Sequence, residues 1–323
     1  MKTSPYIGHP SQLWGVEEVR LVGGKGDGMG LLQLRNAAGL QMTICADRCA
    51  DIYRLNFKGD NMGYFSANGY VAPAYYDDVG AGFLKSFTAG FLTTCGLTAV
   101  GSPCTDEGQA LPLHGTIGNT PCERIWWDED AENIYIHAIV NDSGIFARKL
   151  MLKRTIRVSK EESRFTISDT VENQGHQASP VMLLYHMNMG YPLLSENSVV
   201  EIPSVSVKPR NDHAARDMDT CCKMLAPTAG FEEQCYFHSF ENEGRASIYN
   251  PDIRKGLTIS FDANKLDHFT EWKMMGYRDY VLGLEPGNCH PDGRDVMRKE
   301  GKLKFLQPGE SITYEVTITL EEK

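Results

Sequence analysis

Ser311-Ile312-Thr313-Tyr314-Glu315-Val316-Thr317-Ile318-Thr319-Leu320 is the stretch that decides the fold. Apolar residues fill every even position and polar residues every odd one. Side chains on a strand alternate between two faces, so this segment is a strand with one face on a core and one in water. Pro308-Gly309-Glu310, just upstream, is a turn signal. Working outward, the same period of two runs through Ile134, Ile136, Ala138 and Val140, and through Leu257, Ile259 and Phe261. Between Lys149 and Val158 it passes through Leu150, Leu152, Ile156 and Val158. Around Phe165, Ile167 and Val171 it is interrupted by Asp169.

Helical periodicity is missing. No segment of about 12 residues keeps apolar residues at three-four spacing between a cap and a stop. Residues 81–97 are apolar, but Thr88, Gly90, Thr93, Thr94 and Gly96 argue for buried extended chain or loop. Turn-like punctuation recurs at Glu161-Glu162-Ser163, Glu172-Asn173-Gln174-Gly175 and Asn250-Pro251-Asp252. Many short strands with such punctuation mark a sandwich or barrel. The expected fold class is all-β, one large antiparallel β-sandwich domain over residues 1–323, because no linker or charge block divides the chain.

Composition narrows the functional classes. With 41% hydrophobic and 23% charged residues, the 323-residue chain is an ordinary globular one, not a disordered one. Thirty-two Lys and Arg against 42 Asp and Glu give a formal charge of −10. A nucleic-acid partner calls for a basic surface, and an anionic membrane repels an acidic chain. Neither partner is expected. No stretch of about 20 apolar residues occurs, and Met1-Lys2-Thr3-Ser4-Pro5 leads into polar sequence without a secretory core. The nine cysteines are scattered, with Cys45/Cys49 and Cys221/Cys222 the only close groupings and no Cys-x-x-Cys. Free thiols in a reducing compartment fit this pattern, so a cytoplasmic location is expected. Gly23-Gly24-Lys25-Gly26-Asp27-Gly28 lacks the spacing and the following helix of a nucleotide-binding loop, and reads as a loop between strands.

Three segments concentrate polar groups amid apolar sequence: 113–119 with His114, 183–190 with His186, and 282–292 with Glu285, His290 and Asp292. His186 ends the apolar run from Val181. Glu285 follows Val281-Leu282-Gly283-Leu284, where a buried carboxylate is costly unless paired. Taken singly, each has a plain structural reading: a satisfied core histidine, a rim carboxylate, a loop histidine.

In order they resemble the aldose 1-epimerase (galactose mutarotase) superfamily: His114-Gly115, Val171-Glu172-Asn173-Gln174-Gly175, His186, Leu284-Glu285, Pro291-Asp292 and Pro308-Gly309-Glu310. The finer pattern is similar to its DUF4432 branch, through Asp47-Arg48-Cys49-Ala50-Asp51-Ile52, Thr93-Thr94-Cys95-Gly96-Leu97 and Leu113-His114-Gly115. Glu271-Trp272-Lys273 and Leu284-Glu285-Pro286-Gly287-Asn288 complete it. The resemblance spans roughly residues 15 to 320. It implies a β-sandwich with a sugar cleft, an isomerase that interconverts anomers, and a small carbohydrate as partner. A homodimer stays open.

Mutarotation opens a pyranose ring and closes it on the other face of C1. One group takes the O1 proton while another donates to the ring oxygen, and the roles reverse on closure. A carboxylate and an imidazole suffice, without metal or redox cofactor. The resemblance implies Glu285 as base, His186 as acid and His114 as a sugar-polarising residue. The Asn-Arg pair that the superfamily carries before its His-Gly is not matched, since residues 83–101 contain Lys85 but no Arg. Substrate contacts are expected instead from Arg48, Asp51, Glu233, His238, Trp272 and Lys273. Trp272 would stack on a sugar face, and Asp47, Arg48 and Asp51 would alternatively form an internal ion-pair set. His290 and Asp292 are expected to orient Glu285 through their loop rather than to bind a metal. Two other readings compete: a non-catalytic carbohydrate-binding or sensing protein on the same fold, and a sugar-phosphate epimerase or lyase in which Arg48, Arg124 and Lys273 converge.

Overall fold

The computed structural model describes residues 5–323, and its regular structure is overwhelmingly antiparallel sheet. An eight-stranded sheet runs in the order Arg124–Glu129, Asn133–Ser143, Lys149–Ser159, Arg164–Asn173, Ser311–Glu322, Lys255–Asp262, Glu243–Asn250 and Val199–Glu201. The alternating C-terminal strand lies in its middle. It pairs with Arg164–Asn173 on one side and Lys255–Asp262 on the other. Tyr314, Val316, Ile318 and Leu320 are buried, while Thr313, Thr317 and Thr319 face outward. The second large sheet runs Ser206–Pro209, Gln234–Ser239, His268–Met275, Tyr280–Gly287, Ser179–Met189 and Lys304–Leu306, and Leu92–Leu97 also pairs with Ser179–Met189. A five-stranded sheet from Gly15–Arg20 to Asp60–Asn61 adds a third surface. Apolar residues of all three sheets, from Leu32 to Leu320, form one buried cluster. Each fully buried Leu or Ile contributes about 1.5–3 kcal/mol, which is why the alternation is so strictly kept.

The interruption at Asp169 has a structural cause. Asp169 pairs in register with Arg154, the inward position skipped by the apolar residues of Lys149–Ser159. The Arg154 guanidinium donates to Asp169 at 2.9 and 2.7 Å, to Asp51 Oδ1 at 2.9 Å and to Thr94 Oγ1 at 2.8 Å. Tyr185 Oη donates to Asp169 Oδ2 at 2.9 Å. Arg154, Asp169, Asp51 and Tyr185 are all at most 1% exposed, so this network bolts the three sheets together inside the core.

The loop reading of residues 23–28 holds: a single 3-10 turn, Gly24–Gly26, joins Gly15–Arg20 to Gly30–Arg35. Residues 81–97 are 3-10 turn and extended chain, buried apart from Ala81, Leu84 and Lys85. The α-helical segments among the described residues are Asp212–Ala215 and Arg294–Lys299, too short to carry a visible period. Among the described residues, no helix is long and apolar enough to cross a membrane.

Candidate active site

All eight residues of Tyr280–Gly287 are buried, because this strand serves two compartments. Leu282 and Leu284 point into the core. Gly283 and Glu285 point the other way, into a cavity of about 250 Å³. The neighbouring strands contribute by the same parity: His186 from Ser179–Met189, Thr270 and Trp272 from His268–Met275, Cys235 from Gln234–Ser239. Loops close it over with Phe83, Phe87, Ser102, Leu113, His114, Arg210 and Pro291. Drug-sized pockets run to about 300–1,000 Å³, so this one suits a small ligand. A larger surface hollow of about 770 Å³, lined by Arg157, Glu161, Glu162 and Arg164, contains no buried carboxyl or imidazole, so the smaller cavity is the candidate.

Glu285 and His186 meet at its base. Glu285 Oε1 lies 3.1 Å from His186 Nδ1, with the two residues 2% and 5% exposed. Neither atom has a well-formed hydrogen bond, so the pair is in contact but not locked. Burial pushes the Glu285 carboxyl well above the carboxylate range; Glu233 adds to this and Arg210 opposes it. Burial also lowers His186 to about 4. Both shifts disfavour charge, so the resting pair holds one proton, on the Glu285 side. Burial, His186 and Arg210 together push His114 down as well, leaving a second neutral imidazole, its ring 5.4 Å from that of His186.

Local sequence explains this placement. A Cβ at Gly283 would overlap Glu285 Oε1 and press on Trp272 Cβ, so glycine there leaves room for the carboxyl. Gly283→Ala is expected to keep the fold and lower kcat roughly tenfold or more by displacing that carboxyl. Unchanged kcat in a steady-state assay would remove this role. His114 adopts φ +60°, unusual for a side chain with a Cβ, and the following Gly115 packs directly on the carbonyls of Gly96 and Ala99. His114 N donates to Gly101 O and Gly96 N donates to His114 O, which fixes the loop over the cavity. Trp272 Nε1 donates to Glu233 Oε2 at 2.7 Å, so the indole wall is held edge-on to His186.

The structure thus brings together His114, His186, Glu233, Trp272 and Glu285, and places four expected residues elsewhere. Arg48 is buried and donates to the carbonyls of Val71, Ser86 and Gly118 and to Asn119 Oδ1, a stitch between loops outside the cavity lining. Asp51 belongs to the Arg154 network. Lys273 follows Trp272 on a strand and so points to the opposite face, where Nζ donates to Thr220 O. His238 lies on that face too, against Glu271 and Ser204. The convergence of Arg48, Arg124 and Lys273 does not occur; Arg124 stacks on Trp126 on the other sheet. Instead Arg210, which the sequence did not flag, brings a guanidinium to the cavity. It sits in irregular chain just past Ser206–Pro209, where no periodicity singles it out. Asp292 accepts from Arg210 Nε at 2.9 Å, while Nη2 donates to Ser102 Oγ and Pro291 O. The 288–292 loop therefore orients Arg210 through Asp292, and His290 stacks on Phe237.

Residues 26–320 match the model of a family described as a domain of unknown function, DUF4432. The chain belongs to the DUF4432 family. Among solved structures, this DUF4432 protein is similar to a Klebsiella pneumoniae protein provisionally named an aldose 1-epimerase, with a TM-score of 0.90 and 29% identity over 96% of this chain and 84% of that one. A galactose mutarotase-like protein from Clostridium acetobutylicum superposes with a TM-score of 0.69 at 13% identity, covering 97% of this chain and all of the other (100%). Galactose 1-epimerase from Lactobacillus acidophilus gives 0.67 and 13%, over 96% and 99% of the two chains. The last two show the fold alone. Comparison with functionally curated proteins finds no match. The DUF4432 protein therefore has the mutarotase-like β-sandwich fold.

Proposed function

We propose that this DUF4432 protein interconverts the anomers of an aldose or aldose derivative by acid–base ring opening and closure at Glu285 and His186. The observation that carries this reading is the buried Glu285–His186 pair, 3.1 Å apart at the base of a small cavity walled by Trp272 and a second imidazole, His114. Binding alone does not call for such a pair, since burying two titratable groups without firm partners is unfavourable.

The geometry supports a specific proton path. A sugar O1 hydroxyl donating to Glu285 favours its charged form, and the proton crosses the 3.1 Å contact to His186 Nδ1. The imidazolium then donates from Nε2 to the ring oxygen as Glu285 takes the O1 proton, and the C1–O5 bond opens. Rotation about C1–C2 presents the other carbonyl face. On closure O5 returns its proton to His186 and Glu285 returns one to O1, so no net proton is consumed. Arg210 and His114 supply fixed donors to sugar hydroxyls, and Trp272 supplies an apolar wall for a pyranose face.

The test is the anomer exchange rate by NMR over aldoses, ketoses and sugar phosphates. Acceleration of at least one class, lost in Glu285→Gln, is the expected result. Tight binding of a sugar with no acceleration would leave a binding protein. The pH profile is a second check. The active form carries one proton on the pair, so kcat/KM should fall below pH of about 4, as His186 takes a second proton. Above that it should stay level past the ordinary carboxylate range, since Glu285 is held protonated by burial. At higher pH it should fall again as Glu285 loses that proton; a profile with only the acid limb, flat to alkaline pH, would show a simple exposed carboxylate base instead.

A further inference from the structure

The face of the outer strands opposite the cavity gathers four groups with no part in the proposed reaction. Glu271 is fully buried at 0% exposure, and its Oε1 has no hydrogen-bond partner. Its Oε2 lies 4.0 Å from Cys222 Sγ and 3.2 Å from His238 Nε2. Cys221 Sγ and Cys222 Sγ are 3.8 Å apart, and the donor atoms of Cys221, Cys222 and Glu271 all lie within 4.8 Å of one another. An orphaned carboxylate oxygen in the interior is unfavourable, and the same carboxylate lies against two thiols of a half-buried turn.

We infer that Cys221, Cys222 and Glu271, the last held from outside by His238, form a binding site for a thiophilic divalent metal ion, zinc above all. Zn–S bonds of about 2.3 Å at the tetrahedral angle set two sulfurs about 3.8 Å apart, which matches the spacing here. His238 Nδ1 is paired with Ser204 Oγ at 2.9 Å, which leaves Nε2 for Glu271, an outer support that orients the ligating carboxylate. Binding displaces the thiol protons to solvent and involves no redox change.

The site is structural. It fastens the turn at Cys221–Cys222 to the strands that carry Cys235 and Trp272 on their other side, and that turn ends the segment that begins at Arg210. The inference stands apart from the acid–base reading, since it shares none of its residues.

The test is metal analysis of protein purified under reductant, followed by cobalt titration of the metal-free form. About one zinc per chain is expected, and cobalt should give thiolate charge-transfer bands together with tetrahedral visible bands. Cys221→Ser/Cys222→Ser and Glu271→Gln should each reduce affinity roughly tenfold or more, with circular dichroism checking the fold, while Cys104→Ser/Cys122→Ser leaves it unchanged. Failure of the unsubstituted protein to take up zinc or cobalt would overturn the inference, whatever the variants do. So would cobalt bands without thiolate character, or uptake indifferent to Cys221 and Cys222.

Discussion

Replacing Glu285 by Gln is expected to abolish anomer exchange while making the protein harder to unfold. Losing a positioned acid–base group typically lowers kcat by about 10²–10⁴, and in the proposed reaction the same group would exchange protons with both the sugar and His186. Glutamine keeps the shape and the hydrogen-bonding capacity but neither takes nor gives a proton. The stability change follows from the raised pKa. A carboxyl whose folded pKa lies above its unfolded value of about 4.3 loses stability as pH rises between the two, because only the unfolded chain ionises freely. Glutamine has no such penalty. Urea midpoints for the two proteins should therefore coincide near pH 4 and separate by pH 7.5, with the variant higher. A variant that is inactive but less stable at pH 7.5 would mean that Glu285 is a paired structural carboxylate.

The second large effect is expected at Arg154, in the core network outside the cavity lining. Arg154→Met removes the one cation shared by Asp169 and Asp51. Breaking a buried pair from one side typically destabilises by about 3–5 kcal/mol, because a charge is left without compensation. Asp51 is already raised to about 6 by burial with the guanidinium present. Without it, Asp51 should take up a proton at higher pH, so the loss measured by urea unfolding should shrink as pH falls from 7.5 toward 5. A change below about 1 kcal/mol, of the size seen for exposed pairs, would show that the network is dispensable.

How much of this was legible in the sequence depends on parity. The strands were legible because alternation over a buried face is strict, as in Tyr314 to Leu320. Asp169 looked like a break in the pattern because its partner, Arg154, comes from another strand. The same alternation explains the site residues. Glu285 and His186 follow apolar runs and point out of the core together. Trp272 and Lys273 are neighbours on a strand, so they cannot share a cavity; nor can Cys235 and His238, three positions apart. Arg48 illustrates a different limit, since a guanidinium surrounded by carbonyls reads in sequence like one awaiting a ligand. Arg210 lies in irregular chain, where position follows from loop contacts such as Asp292 and Ser102 rather than from period.

The cavity is floored by strands and roofed by loops, and the two have unequal freedom to change. Every second residue of Tyr280–Gly287 belongs to the core, and a one-residue slip would exchange Leu284 for Glu285 at the site. The floor is therefore confined to a single chemistry. Phe83, Phe87, Ser102, Leu113 and Arg210 stand on loops whose replacement disturbs no strand register. Diversification within this scaffold should proceed through the roof, yielding proteins that accept different ligands over the same buried carboxyl–imidazole floor.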